Sequence, residues 1–182
     1  GKVFDPRLPT VVLVHGAMND HTVFNLLARW FAHHGRSVLA LDLPGHMQSQ
    51  GPALTSIEAM ADWLQQCLVA AGVRRASLVG NSMGSLVALE ATAQMASQAS
   101  HGLGNCITVD HLVMLGTCVS MPVPQALRDL SQHDVDAAID RVVTFSFSTW
   151  AAKPSFPGPG VWLRGAGRNL MRMVAAHGHD SQ

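Results

Sequence analysis

Cysteine is scarce in this chain. Cys67, Cys106 and Cys118 are three among 182 residues, an odd number with no C-x-x-C pair. That excludes a disulfide framework and a cysteine-built zinc site, and it predicts reduced, mostly buried thiols. Charge is scarce as well. Charged residues make up 13% of the chain, and twelve Lys plus Arg balance twelve Asp plus Glu. No basic footprint for nucleic acid or an anionic membrane exists, so the expected partners are small or neutral molecules. No apolar run approaches the roughly 18 residues that cross a bilayer. A basic-then-apolar leader is missing too, which makes a cytoplasmic location the expectation. The first residue is Gly1, so the N-terminus as given reads as processed or cut.

What is present is apolar. Hydrophobic residues reach 48%, with nine Met, and the length suits one domain, or one domain with an appendage, around a substantial core. Such a balance suggests apolar surface at a substrate pocket or at a face that meets more protein; an Ala-rich composition explains it equally well.

Short β-branched runs alternate with helical spacing. Val11-Val12-Leu13-Val14 reads as a strand covered on both faces, stopping at His15-Gly16. Val23, Leu26, Leu27, Trp30 and Phe31 then recur at helical spacing. A strand over 37–43 runs into the turn Asp42-Leu43-Pro44-Gly45. Thr55 with Glu58 forms a capping-box signal for a helix to about Ala71. A third strand covers 76–80, a small-residue helix follows to about His101, and after a Gly/Asn loop a fourth strand covers 111–117. The alternation predicts an α/β fold with a parallel sheet, helices on both faces, and ligands at the carboxyl ends of the strands. From Pro122 the pattern turns helical to Phe147. A Pro/Gly-rich loop over 154–167 and a short helix over 169–176 follow. The expected division is a core over 1–120 and a helical cap or lid over 121–182.

Gly80-Asn81-Ser82-Met83-Gly84 stands between the third strand and its helix. A serine on so sharp a turn projects its hydroxyl above the sheet, and glycine two residues either side is a steric requirement. The helix that follows aims free N–H groups at the place where an oxyanion would form.

Together with Val14-His15-Gly16-Ala17 and Asp42-Leu43-Pro44-Gly45-His46 with Ser49, this elbow resembles the α/β-hydrolase superfamily in order and spacing. The likeness covers about residues 10–120, making the four strands the third to sixth of that fold and the later helices a partial cap. It implies Ser82 as nucleophile and the backbone N–H groups of Met83 and Ala17 as oxyanion donors, with Gly80, Gly84, His15 and Gly16 supporting the elbow and loop. Asp42 and His46 would shape their loop, where Met47 replaces the more usual glycine. It implies no metal or organic cofactor.

The likeness stops short of a triad. In the superfamily the acid and histidine follow the seventh and eighth strands, and no such strands are legible in the 100 residues after Ser82. The expectation is a chain incomplete at both ends and poorly active alone, since a serine without an imidazole is a weak nucleophile. His15 and His46 read as structural. His33-His34 reads as a solvated pair at a helix end, and His177-Gly178-His179-Asp180 as a frayed tail. His101, His111 and His133 have no motif around them. Asp110 precedes a strand, while Asp129, Asp134, Asp136 and Asp140 fit a solvated helix face. Trp150, Phe156 and Trp162 could line an apolar acyl or aromatic pocket or simply pack a core.

The function expected of the complete protein is ester or thioester hydrolysis through an acyl-enzyme on a small apolar acyl or aromatic substrate. Asn81-Ser82-Met83-Gly84 also resembles the elbow of carbon–carbon bond hydrolases acting on ring-cleavage products. A ligand-binding protein without turnover, or an inactive fragment, is the alternative outside catalysis.

Overall fold

The structure, a computed structural model, describes residues 3–102, 107–118, 121–146 and 159–179, with residues 159–163 and 178–179 described by their backbone alone. It divides into two compact units, Gly1–Cys118 and Val119–Gln182.

The first unit is a four-stranded sheet in the order β2-β1-β3-β4, formed by β1 (Thr10–Val14), β2 (Ser37–Leu41), β3 (Arg75–Asn81) and β4 (Thr108–Leu115). All three pairings are parallel, with Val14 in register with Leu41 on one side and with Gly80 on the other. The chain leaves β1 for β2, then crosses back to β3 on the opposite flank, so the strand order reverses between β1 and β3. At such a switch point the two following loops diverge and leave a crevice beyond the strand ends.

Every residue of β1 is buried, which is why Val11 to Val14 read as an uninterrupted apolar run. Val12, Val14 and Leu78 pack on one face against Leu64 and Leu68 of α2 (Ile57–Ala70) and Val87, Ala88 and Ala91 of α3 (Met83–Ser100). Val11, Leu13 and Val79 meet Phe24, Leu27 and Phe31 on the other face, where α1 (Asn25–His33) follows a single 3-10 turn over His21–Phe24.

Several boundaries differ from the sequence expectation. The cap of α2 is Ser56, whose hydroxyl accepts from Ala59 N–H at 3.1 Å, and not Thr55. With Ile57 as first helical residue, Glu58 is second and lies one place short of closing a capping box. The strand β2 ends at Leu41, because the turn begins at Asp42. Strand β4 starts three residues earlier than expected, so Asp110 lies inside it and pairs with Arg75 of β3 at 2.7 Å. Cys67 is half-buried and Cys118 exposed, against the expectation of mostly buried thiols.

The second unit holds α4 (Gln125–His133), α5 (Val135–Phe145) and α6 (Pro159–His179). Asp134 separates α4 from α5 with an extended backbone and caps α5 by accepting from Ala137 N–H at 3.0 Å. The Gly-rich stretch expected as a loop is helical from Pro159 onward, and the tail expected to fray is helical to His179. Glycine propensity loses here to packing: Ala138, Ile139 and Val143 of α5 are buried, as are Met171 and Val174 of α6. Arg168 with Asp140, and Arg172 with Asp136 at 2.6 Å, add rungs between the two helices. Trp150, Phe156, Cys106 and the Gly/Asn loop at 103–106 lie outside the described residues, and of Trp162 only the backbone is described.

Candidate active site

Ser82 stands between β3 and α3 with φ 53° and ψ −123°, a backbone that L side chains rarely adopt. Its neighbours explain how the turn is accommodated. A Cβ on Gly80 would fall 2.3 Å from the Gly84 carbonyl oxygen, and one on Gly84 would fall 2.2 Å from the Val14 oxygen. Helix α3 therefore starts flush against β3 and β1, an approach that only glycine permits. Such a backbone costs about 1–3 kcal/mol and persists where surrounding contacts over-determine it. Ser82 N–H donates to the Leu115 carbonyl at 2.8 Å, tying the elbow to the end of β4, and its own carbonyl accepts from Ser85 N–H at 2.9 Å and from the Ser85 hydroxyl.

The loop after β1 passes directly beside this serine. A Cβ on Gly16 would lie 3.0 Å from Ser82 Cβ and 3.6 Å from its Oγ. Asn19 steadies the loop by donating its side-chain amide to the Ala17 carbonyl at 3.0 Å and its backbone N–H to the Gly16 carbonyl at 3.3 Å. Met18 takes a left-handed backbone, φ 59°. Among the described residues neither Ala17 N–H nor Met83 N–H donates to another protein group. Met83 is the first residue of α3, so its N–H belongs to the unpaired, partially positive helix end. The carboxyl ends of β1 and β3 thus carry a strained serine, a loop whose Gly16 packs against it, and a helix end, with two unspent backbone donors.

His15 is fully buried, and both ring nitrogens are engaged. Nδ1–H donates to the Gly16 carbonyl at 2.8 Å, and Nε2 accepts Leu43 N–H at 3.1 Å. A carbonyl on one side and an N–H on the other define the neutral tautomer, and burial pushes the ring's pKa below its ordinary value. His46 lies 5.0 Å away, ring to ring, and donates Nδ1–H to the Pro44 carbonyl at 3.1 Å. Met47 at φ 41° takes the left-handed conformation that glycine would adopt freely.

The remaining histidines are dispersed. His34 stacks on Trp30 at 4.0 Å and bonds its carbonyl, His101 and His177 bond carbonyls one turn back in their helices, and His111 lies 3.2 Å from Ser77 Oγ. Among the described residues no histidine is hydrogen-bonded to Ser82 Oγ, and no group of three His, Cys, Asp or Glu could hold a metal ion. Sequence reasoning overlooked one pairing, His21 with Asp42, at 2.9 Å from Nδ1 to Oδ1. They are twenty-one positions apart in the chain, with α1 and β2 between them, and no local pattern reports such a meeting.

A model of the alpha/beta hydrolase family matches residues 11–179. Among curated proteins, the chain is 38% identical over 86 residues to the sn-1-specific diacylglycerol lipase ABHD11 of Mus musculus, covering 47% of this chain and 28% of that protein. It is 35% identical over 89 residues to the 2-succinyl-6-hydroxy-2,4-cyclohexadiene-1-carboxylate synthase of Escherichia coli, 49% of this chain and 34% of that one. The match thus spans about a third or less of these relatives' own length. A solved hydrolase from Pseudomonas aeruginosa PA01 superposes with a TM-score of 0.68 at 16% identity, over 98% of this chain and 64% of that one. A carboxylesterase structure from Nitrososphaera gargenis gives 0.67 at 16%, with the same two coverages. At such identities the structural likeness concerns the fold.

Proposed function

This chain belongs to the alpha/beta hydrolase family, and from that premise we propose that its protein is a serine hydrolase cleaving an ester or thioester through an acyl-enzyme. Ser82 Oγ attacks the carbonyl carbon, the carbonyl oxygen becomes an oxyanion between Ala17 N–H and Met83 N–H, and the leaving group departs with a proton. Water then attacks the acyl-serine and releases the acid. The observation that carries this reading is the strained backbone of Ser82, packed against Gly16 at the start of α3. Strained non-glycine backbones of this kind cluster at active sites.

The general base stays unassigned. His15 uses both nitrogens structurally and has none left for a serine proton. Among the described residues no imidazole is bonded to Ser82 Oγ, and a hydroxyl without a base is poorly activated, so this chain alone is expected to turn over slowly. We read the unit Val119–Gln182 as the cap, and the substrate as a small apolar acyl or aromatic compound. The scarce cysteines, with Cys67 unbridged, favour a reducing compartment such as the cytoplasm.

A second reading, carbon–carbon bond chemistry, draws on the match to a relative named as a cyclohexadiene carboxylate synthase. A dienone chromophore assay separates it from ester hydrolysis.

The test is fluorophosphonate labelling of the protein beside its Ser82→Ala form. Labelling lost in Ser82→Ala supports the nucleophile, and labelling undiminished in that variant overturns it.

A further inference from the structure

Asp42 accepts both the backbone N–H of His21, at 2.8 Å, and its ring Nδ1–H, at 2.9 and 3.0 Å to the two carboxylate oxygens. The carboxylate is 7% exposed and the imidazole 29%. With Nδ1–H committed to Asp42, the neutral ring offers Nε2 as a lone-pair acceptor, and among the described residues nothing occupies it. His21 and Asp42 line a shallow, largely open cavity of about 290 Å³ at the carboxyl end of β2. Leu41 and Trp63 supply apolar walls, and Ser49 and Cys67 complete the lining that matters here. Burial holds the Cys67 thiol above its ordinary pKa, so it is a neutral group and no thiolate.

We propose that this cavity is a second small-molecule site, independent of the Ser82 reading, for a neutral hydroxyl compound with a flat apolar body. The hydroxyl donates to His21 Nε2, and the body lies against Trp63 and Leu41. The chemistry of the lining selects this class. It contains no Lys or Arg, and a buried carboxylate stands behind the imidazole, so an anionic head group would be repelled. A purely apolar compound would leave Nε2 desolvated and unpaired, a penalty that a hydroxyl donor removes. No residue of the lining belongs to the elbow or to the His15-Gly16-Ala17 loop.

Phenol and anisole, which differ by the loss of the donor, are the probes. Titrated into the unmodified chain at mildly alkaline pH, they are followed by the His21 ring nitrogens and the Trp63 indole in NMR spectra. The expected result is saturable phenol binding that moves the His21 Nε2 and Trp63 signals, with anisole weaker by about tenfold. His21→Phe should bring phenol down to the anisole level, and Ser82→Ala should change neither. Equal binding of the two probes, or no saturable shift at His21 and Trp63, overturns the proposal. The comparison of probes needs no variant, so misfolding of His21→Phe leaves it decisive.

Discussion

Leu43 donates its backbone N–H to His15 Nε2 across 3.1 Å, while the same ring donates Nδ1–H to the carbonyl of Gly16. One buried imidazole therefore links the loop beside Ser82 to the turn that ends β2. The position of Ala17 N–H depends on this link, since Gly16 is the residue between it and the histidine.

Replacing His15 by Ala should be among the costlier single changes in the first unit. It opens a cavity and leaves Leu43 N–H without its partner, at about 1–3 kcal/mol for the buried donor stranded, while the Gly16 carbonyl keeps only the longer bond from Asn19 N–H. Urea unfolding of both forms measures it, and a midpoint shift within error would show that the link carries no stability.

The same ring sets a pH dependence. Burial lowers the folded-state pKa of His15 below 6.5, so the unfolded chain binds this proton first. Stability from His15 is fully present above about pH 6.5 and is lost as pH falls from there through the folded-state value. Melting temperatures between pH 8 and pH 5 should decline on the acid side, less steeply in His15→Asn. Parallel profiles in the two proteins would assign the acid limb to other groups.

Ser82→Gly should raise stability by about 1 kcal/mol while removing any fluorophosphonate labelling, because glycine adopts φ 53° without the Cβ penalty. A variant less stable than the parent would mean that the backbone there is not strained.

Two glycines to alanine should have opposite effects. At Gly84 the new methyl would meet the Val14 backbone oxygen at 2.2 Å, and the elbow must shift at a cost of about 3 kcal/mol or more. At Gly165 nothing lies within 4 Å, and α6 should gain about 0.5–1 kcal/mol. Thermal unfolding ranks both against the parent, and a destabilised Gly165→Ala would mean that α6 is not helical at that position.

The alternation of strand and helix, the parallel sheet and the elbow around Ser82 were legible because each rests on local sequence. An apolar four-residue run, a glycine two places either side of a serine and a small-residue helix are patterns with a period or a spacing. Residues 159–168 were misread for the complementary reason. Their glycines favour a loop locally, and the helix is held by contacts made farther along, where Met171 and Val174 are buried as α6 packs on α5.

By itself the sequence determined the fold class, the strand-turn-helix at Ser82 and the loops expected at the strand ends. Tertiary structure alone decided that the strand order reverses between β1 and β3, that both nitrogens of His15 are spent as a structural link, and that His21 meets Asp42. Steric demands act between neighbours in the chain and leave a mark in its spacing. Hydrogen bonds across a crossover join residues whose separation carries no pattern, and they exist only once the sheet has formed.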